Sequence, residues 1–312
     1  MVRLCLQRLR HREYGCILMK HIDFQGMKMN STEKNAPRKP SAGPAIRRPY
    51  RFDTCYLDTP LIPGRALDIF MPENCTQDTA VFFVHGGGWR ADSRTKFHSI
   101  MQEFGKRGYI TASADYRLDA PSALEQVQDL REAYELFVTF LEEHGRPLKI
   151  AVYGESAGAH LGSLLLCADP GEIGERCRLS RPWVKPCRGI FQATPMDFLP
   201  WEGMMPHFWN QMQNIAGVPY DQDSERYEKL SLKNYIRRDN PPIFFMEAEL
   251  EHIFLSRHTL KAVKQHRVWG IASHWKIYEL MEHGFFYELN RKQQFEALED
   301  ICQFLNDRLI TL

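Results

Sequence analysis

The 312-residue sequence predicts an α/β fold: a mostly parallel central sheet with helices on both faces. Three observations carry that prediction. Short apolar runs alternate with segments of helical period almost throughout the chain. Two of those runs, 80–84 and 150–153, end abruptly in glycine-rich turns, His85-Gly86-Gly87-Gly88-Trp89 and Gly154-Glu155-Ser156-Ala157-Gly158. The composition, 44% apolar and 25% charged, is that of a globular chain long enough for one large domain plus extensions.

Order is expected to begin near Tyr50. Residues 52–57 and 67–70 read as two strands joined by a Pro/Gly turn at 60–64, so the sheet should open antiparallel. The strand at 80–84 leads into His85. Phe97, Ile100, Met101 and Phe104 recur at i, i+3, i+4, i+7 and predict a helix that Gly105 and Gly108 end. A strand at 109–114 follows. The clearest helix covers 123–143. Ser122 and Glu125 form a capping box before it. Leu124, Val127, Leu130, Tyr134, Phe137, Val138 and Leu141 make its buried stripe, and Gly145 stops it. A strand at 148–153 and a helix at 157–167 bracket the second glycine turn. Later strands fall at 189–192, 243–246 and 275–280. Asn290 is expected to cap a final helix with Phe295, Leu298, Ile301, Cys302, Leu305 and Leu309 inward.

The stretch 198–239 breaks the alternation and reads as an insertion. Its large apolar residues, Trp201, Met204, Met205, Phe208, Trp209 and Met212, suit either a wall or lid over a pocket or an ordinary buried helix. The domain is therefore placed at 50–312. Residues 1–49 read as a basic, flexible extension, and translation from Met27 or Met29 would account for its composition.

The net charge is +1, but residues 1–50 carry eleven Lys/Arg against three Asp/Glu, and the remainder 29 against 36. The totals give no reason to expect nucleic acid or a membrane surface as partner. No apolar run reaches transmembrane length, and no apolar stretch near the start is long enough for a signal peptide. The eight cysteines form no C-x-x-C and none stands at zinc spacing with histidine. Free thiols in a reducing, cytoplasmic compartment are expected, although Cys177 and Cys187 are close enough in sequence to bridge. The oligomeric state stays open.

Gly154 to Gly158 reads as a G-x-S-x-G nucleophile elbow, in which Ser156 sits on a sharp strand-to-helix turn. Serine is a weak nucleophile at neutral pH and needs a base, which needs an orienting carboxylate. In this architecture the chain order is Ser, then Asp/Glu, then His. His283, in Met281-Glu282-His283-Gly284-Phe285, directly follows the last strand and is the candidate base. His85, His160, His252 and His258 are worse placed. After the strand at 243–246 the chain offers Glu247, Glu249 and Glu251 and no aspartate. Glu251 fits best because it lies furthest into the loop, with Glu249 next. Backbone N–H groups of Gly86, Gly87 and Ala157 are the expected oxyanion hole. Trp89 is placed at the mouth of the substrate pocket. Neither metal nor cofactor is called for.

These motifs, with the strand ending Ala114-Asp115-Tyr116-Arg117-Leu118 and the extended Gly154-Glu155-Ser156-Ala157-Gly158-Ala159-His160, resemble the α/β-hydrolase superfamily. Within it the chain is similar to the H-G-G-G esterase branch, which includes carboxylesterases, acetyl esterases, kynurenine formamidase and hormone-sensitive-lipase relatives. The resemblance covers about 51–312. It implies an α/β-hydrolase fold with an insertion before the triad acid, with Ser156 as nucleophile, His283 as base and Gly86, Gly87 and Ala157 as the oxyanion hole; Glu251 is the acid that the loop position favours. The implied reaction is acyl transfer on a small-molecule, short-chain carboxylic ester. Cleavage of an aryl formamide is the alternative, and a binding protein on an inactive hydrolase scaffold a remoter one. The chain departs from the family at the acid: relatives usually show Gly-x-x-Asp there. Gly-Ala-His after the serine looks more like the acetyl-esterase and formamidase members than the lipase relatives, which usually show Gly-Gly-Asn.

Overall fold

The structure, a computed structural model, describes residues 51–57, 65–176 and 178–309. The 1–49 extension, the 60–64 turn and Cys177 lie outside the described residues. Among the described residues, eight strands form one sheet in the order β1-β2-β4-β3-β5-β6-β7-β8. They are β1 (Asp53–Tyr56), β2 (Ala66–Phe70), β3 (Thr79–Val84), β4 (Thr111–Ala114), β5 (Lys149–Glu155), β6 (Arg188–Gln192), β7 (Ile243–Ala248) and β8 (His274–Tyr278). β2 pairs antiparallel with both β1 and β4, and every later pairing is parallel. The sheet opens antiparallel, as the short first connection requires.

The helices are α1 (His98–Lys106), α2 (Ala123–Glu143), α3 (Ala157–Cys167), α4 (Pro206–Ala216), α5 (Ser224–Leu230), α6 (Ser256–Val268) and α7 (Lys292–Leu305), with 3-10 turns at Arg94–Phe97 and Leu232–Tyr235. Strand alternation distributes them between two cores. Ala80, Phe82 and Val84 of β3 and Ile150 and Val152 of β5 face α2 through α6. Val81, Phe83, Ala151 and Tyr153 face α1 and α7. The handedness of crossovers explains the division. From β3 the chain steps to β4 on one side, then back past β3 to β5 and onward. A right-handed crossover in each direction puts α1 on one face and α2, α3 and α6 on the other.

That reversal has a chemical consequence. β3 lies between β4 and β5, so the turns leaving β3 and β5 diverge to opposite faces at the C-terminal edge of the sheet. In open α/β sheets ligands bind at such a switch point. Here the two turns are the two glycine-rich segments.

Several element-level expectations need correction. α7 is capped at Arg291, not Asn290: the Gln294 side chain accepts from the N–H groups of both, each at 2.8 Å. Phe295 is 51% exposed rather than inward. At 3.6 residues per turn it stands about 120° round the helix from Ile301, beyond the buried stripe. In the insertion, Phe198, Phe208 and Met212 are buried and Trp201, Met204, Met205 and Trp209 half-buried, so α4 is largely a core element. No disulfide forms among the described residues, and no helix among them is long and apolar enough to cross a membrane.

Candidate active site

β5 runs two residues past its apolar core, through Gly154 and Glu155, and the next residue reverses into α3. Ser156 makes that turn at φ 53°, ψ −120°. A left-handed backbone costs a side-chain-bearing residue about 1–3 kcal/mol and survives only where the surroundings enforce it. They do so here. Ser156 N–H donates to the Gln192 carbonyl of β6 at 2.9 Å, and the His160 N–H closes the first turn of α3 on the Ser156 carbonyl at 3.0 Å. The flanking glycines let α3 approach the sheet. A Cβ on Gly154 would fall 2.3 Å from the Gly158 oxygen, and one on Gly158 would fall 2.2 Å from the Val84 oxygen. No side chain fits at either position.

The turn leaving β3 is held by its carbonyls. The Tyr116 hydroxyl shares its proton between the His85 and Gly86 oxygens, at 3.0 and 2.9 Å. His85 stacks on Tyr116 and hydrogen-bonds the Gly86 oxygen through Nδ1 at 3.0 Å. The Gly87 oxygen accepts from the N–H groups of Arg90 and Ala91. Among the described residues, the N–H groups of Gly86, Gly87 and Ala157 donate to no other group. A Cβ on Gly86 would sit 2.1 Å from a carboxylate oxygen of Glu155 and 2.9 Å from the Glu155 carbonyl oxygen, so a side chain there would displace the Glu155 carboxylate.

The loop after β7 brings the acid to the histidine. Glu249 N–H donates to the Tyr278 carbonyl and Leu250 N–H to the Met281 carbonyl, extending the β7–β8 pairing beyond the sheet. Glu251 and His283 leave this ladder side by side, with His283 Nδ1 2.7 Å from Glu251 Oε2. Glu251 Oε1 accepts from the N–H groups of Ile253 and Phe254, at 2.7 and 3.3 Å, which fixes the carboxylate plane. Burial raises the Glu251 pKa, but the bond and charge of His283 and these N–H donors outweigh it and bring it below the usual value. For His283, burial favours the neutral ring. The Glu251 hydrogen bond and the charges of Glu251 and Glu155 overcome that and raise its pKa.

The other two glutamates do different work. Glu249 points to the surface and accepts from Leu280 N–H at 2.8 Å. Glu247 is 1% exposed, and burial pushes its pKa up to about 8, so at neutral pH it is an uncharged acid. It lies 2.5 Å from the Thr259 hydroxyl and has no charge to offer an imidazolium.

His283 Nε2 faces the elbow. Its polar neighbour there is Glu155 Oε1, at 3.6 Å. Among the described residues no hydrogen bond joins His283 to Ser156 Oγ, so the structure brings Glu251 to His283 but does not close a bond from His283 to Ser156. Sequence reasoning passed over Glu155 because it fills a variable position of the elbow. It is buried, its pKa is raised by that burial, and it hydrogen-bonds with Tyr287. Gly284, at φ 70°, is required too, since a Cβ would meet both Glu155 Oε1 and Tyr287 at 2.9 Å.

Trp89 is not at a pocket mouth. It is 1% exposed, and its indole is packed against His160, Phe198 and Phe208. Its N–H needs an acceptor and finds one inside, at His160. A small hollow, of about 10 Å³, is instead lined by Thr194, Pro195, Met196, Asp197, Trp201, Phe254, Leu255 and His258. Phe254 connects it to the site, with its ring 5.9 Å from that of His283. The insertion thus contributes Trp201 to this wall. Thr194 Oγ1, buried in the wall, has no hydrogen-bond partner among the described residues.

A mostly parallel eight-stranded sheet with a serine elbow after β5, a glycine turn after β3 and a His–Glu pair on the loops after β7 and β8 defines an α/β-hydrolase fold. The chain belongs to the BD-FAE family, whose model matches residues 67–260. The kynurenine formamidase of Drosophila melanogaster is 34% identical over 160 residues, 50% of this chain and 49% of that protein. The probable carboxylic ester hydrolase LipM of Mycobacterium tuberculosis is 26% identical over 200 residues, 59% of this chain and 44% of that protein. The chain thus spans about half the length of the curated relatives it matches. Among solved structures, esterase B of Lactobacillus rhamnosis superposes with a TM-score of 0.68 at 16% identity, covering 82% of this chain and 85% of that one. The butyrate-bound thermophilic esterase Est2 of Thermogutta terrifontis gives 0.64 at 19% identity, covering 78% and 88%. At these identities the superpositions establish the fold.

Proposed function

We propose that the protein is a serine hydrolase that cleaves short-chain carboxylic esters by acyl transfer. The observation that carries this reading is the left-handed Ser156 elbow with the His283–Glu251 pair turned toward it. Ser156 Oγ attacks the acyl carbon and gives its proton to His283 Nε2. Glu251 holds the Nδ1–H tautomer and stabilises the imidazolium. The N–H groups of Gly86, Gly87 and Ala157, the last at the positive end of α3, receive the developing oxyanion. His283 then protonates the departing alcohol, and water hydrolyses the acyl-enzyme by the same relay. The short acyl preference follows from the aromatic wall of Trp201, Phe208 and Phe254, whose rings stand 5.1 to 6.5 Å apart and of which Phe254 lies 5.9 Å from the His283 ring.

Labelling with a fluorophosphonate tests the nucleophile. The wild type should label and Ser156→Ala should not, with ester hydrolysis in that variant below a few per cent of wild type. A panel of p-nitrophenyl esters from acetyl to decanoyl tests the acyl site, and best turnover on decanoyl would overturn the short-chain reading. The relative in Drosophila melanogaster favours a second reading, hydrolysis of an aryl formamide by the same machinery. Turnover of N-formylkynurenine exceeding that of every ester in the panel would select it.

A further inference from the structure

We propose that His160 is a positioning residue for acyl transfer, which holds the oxyanion turn in shape through Trp89 and ties that turn to the 198–239 insertion. The proposal rests on the reading of Ser156 as nucleophile.

His160 lies one turn into α3 from Ser156 and is wholly buried. Its ring makes one bond at each nitrogen. Trp89 Nε1–H donates to Nδ1 at 3.2 Å, and Nε2 lies 2.7 Å from the Leu230 carbonyl at the end of α5. An indole nitrogen can only donate and a carbonyl can only accept. The imidazole is therefore neutral, bare at Nδ1 and protonated at Nε2. Burial, which lowers its pKa to about 4, agrees with that state. Phe198 of the insertion stacks on the ring at 4.6 Å. One side chain thus joins the nucleophile helix, the oxyanion turn and the insertion.

The oxyanion turn needs such a fixing. Gly87, Gly88 and Trp89 are consecutive left-handed residues, at φ 92°, 56° and 63°. The two glycines adopt this freely, but Trp89 does not, and it keeps it only while its surroundings hold it. Two bonds do so: Gln126 Nε2 donates to the Trp89 carbonyl at 2.8 Å, and the indole donates to His160. Without the second, the indole N–H would be buried unpaired, and the Gln126 bond would be left to hold Trp89 against relaxation toward negative φ. That relaxation would turn the peptide planes whose N–H groups face the oxyanion.

The two bonds can be removed separately. In His160→Asn the amide oxygen stands close to the place of Nδ1 and can still accept from Trp89, while the bond to Leu230 is lost. In His160→Gln the amide nitrogen can still donate to Leu230, while the acceptor for Trp89 is lost. His160→Leu loses both. Active sites are counted by the extent of fluorophosphonate labelling, so kcat on p-nitrophenyl acetate is expressed per competent serine. His160→Leu and His160→Gln should lose about a hundredfold in kcat, the scale of an ångström-sized misplacement, with KM changed less than about threefold. His160→Asn should recover to within about tenfold of wild type. A merely structural role would lower the number of labelled sites and leave kcat per site unchanged. If His160→Leu yields no folded protein, Trp89→Phe removes the same bond from the donor side and should show the same loss. Equal kcat per site in the Asn and Gln variants, or a wild-type rate in Trp89→Phe, would overturn the proposal. A wild type that fails to label would instead remove the nucleophile reading on which it stands.

Discussion

Replacing Glu251 by Gln changes one charge and almost no volume, so its effect can be followed atom by atom. Glu251 Oε1 is anchored by the N–H groups of Ile253 and Phe254, and an amide oxygen can keep both bonds. The amide nitrogen then falls where Oε2 was, 2.7 Å from His283 Nδ1. Two N–H groups cannot face each other there, so the ring adopts the tautomer with Nδ1 bare and Nε2 protonated. That nitrogen can no longer take the serine proton. The imidazolium also loses the carboxylate that stabilises it. In the well-studied triad where this change has been made, kcat falls about 10⁴-fold, or about 5 kcal/mol at about 1.4 kcal/mol per decade.

The expected loss for Glu251→Gln is of that order, with KM little changed. A second effect has a definite sign. Glu251 raises the His283 pKa, and the base must be neutral to act. In wild type the acid limb of kcat/KM therefore lies above the free-imidazole value of about 6.5, and in the variant it moves to lower pH. The assay is steady-state hydrolysis of p-nitrophenyl acetate from pH 5 to 9, alongside Glu249→Gln and Glu247→Gln. A drop under about tenfold in Glu251→Gln, against the 10⁴ expected, would refute the reasoning. So would a larger drop in Glu249→Gln.

Three further outcomes follow from the structure. His283→Ala should lose nearly all turnover at every pH, and a wild-type limb at or below the free-imidazole value would contradict the raised pKa of His283. Gly158→Ala would drive a Cβ to 2.2 and 2.4 Å from the Val84 and His85 oxygens, and should abolish soluble expression or lower Tm by more than about 10 °C. Glu175→Gln leaves Arg131 without the negative charge that lies 2.6 Å away, in a pair whose side chains are 1% and 0% exposed. It should cost about 3–5 kcal/mol in urea unfolding, and a loss under about 1 kcal/mol would mean that the vacated charge is solvated after all.

Features with a strong local cause were legible in the sequence. The 123–143 helix has a long apolar stripe, a Ser122 cap and a Gly145 stop, and occupies Ala123–Glu143. Its cap differs in detail, because Glu125 bonds the Ser122 hydroxyl rather than its backbone. The elbow was legible because only glycine fits at 154 and 158. α6 was not, because its buried stripe is Thr259, Ala262, Val263 and His266, residues whose modest size or polarity gives little apolar period.

The sequence by itself determined the alternation of strand and helix and the glycine turns, since each depends on neighbours in the chain, and it set Ser156, the three glutamates and His283 in that order. It left three glutamates in contention and could not rank them by environment. Only the tertiary structure separated them. The ladder between the β7 and β8 exit loops sets Glu251 against His283, solvent takes Glu249, and burial leaves Glu247 uncharged. The same holds for Trp89 and His160. Their roles depend on an indole N–H and an imidazole nitrogen 71 positions apart meeting in the core. Side-chain hydrogen bonds at that separation leave no period or local spacing in a sequence, because the fold alone decides which buried donor meets which acceptor.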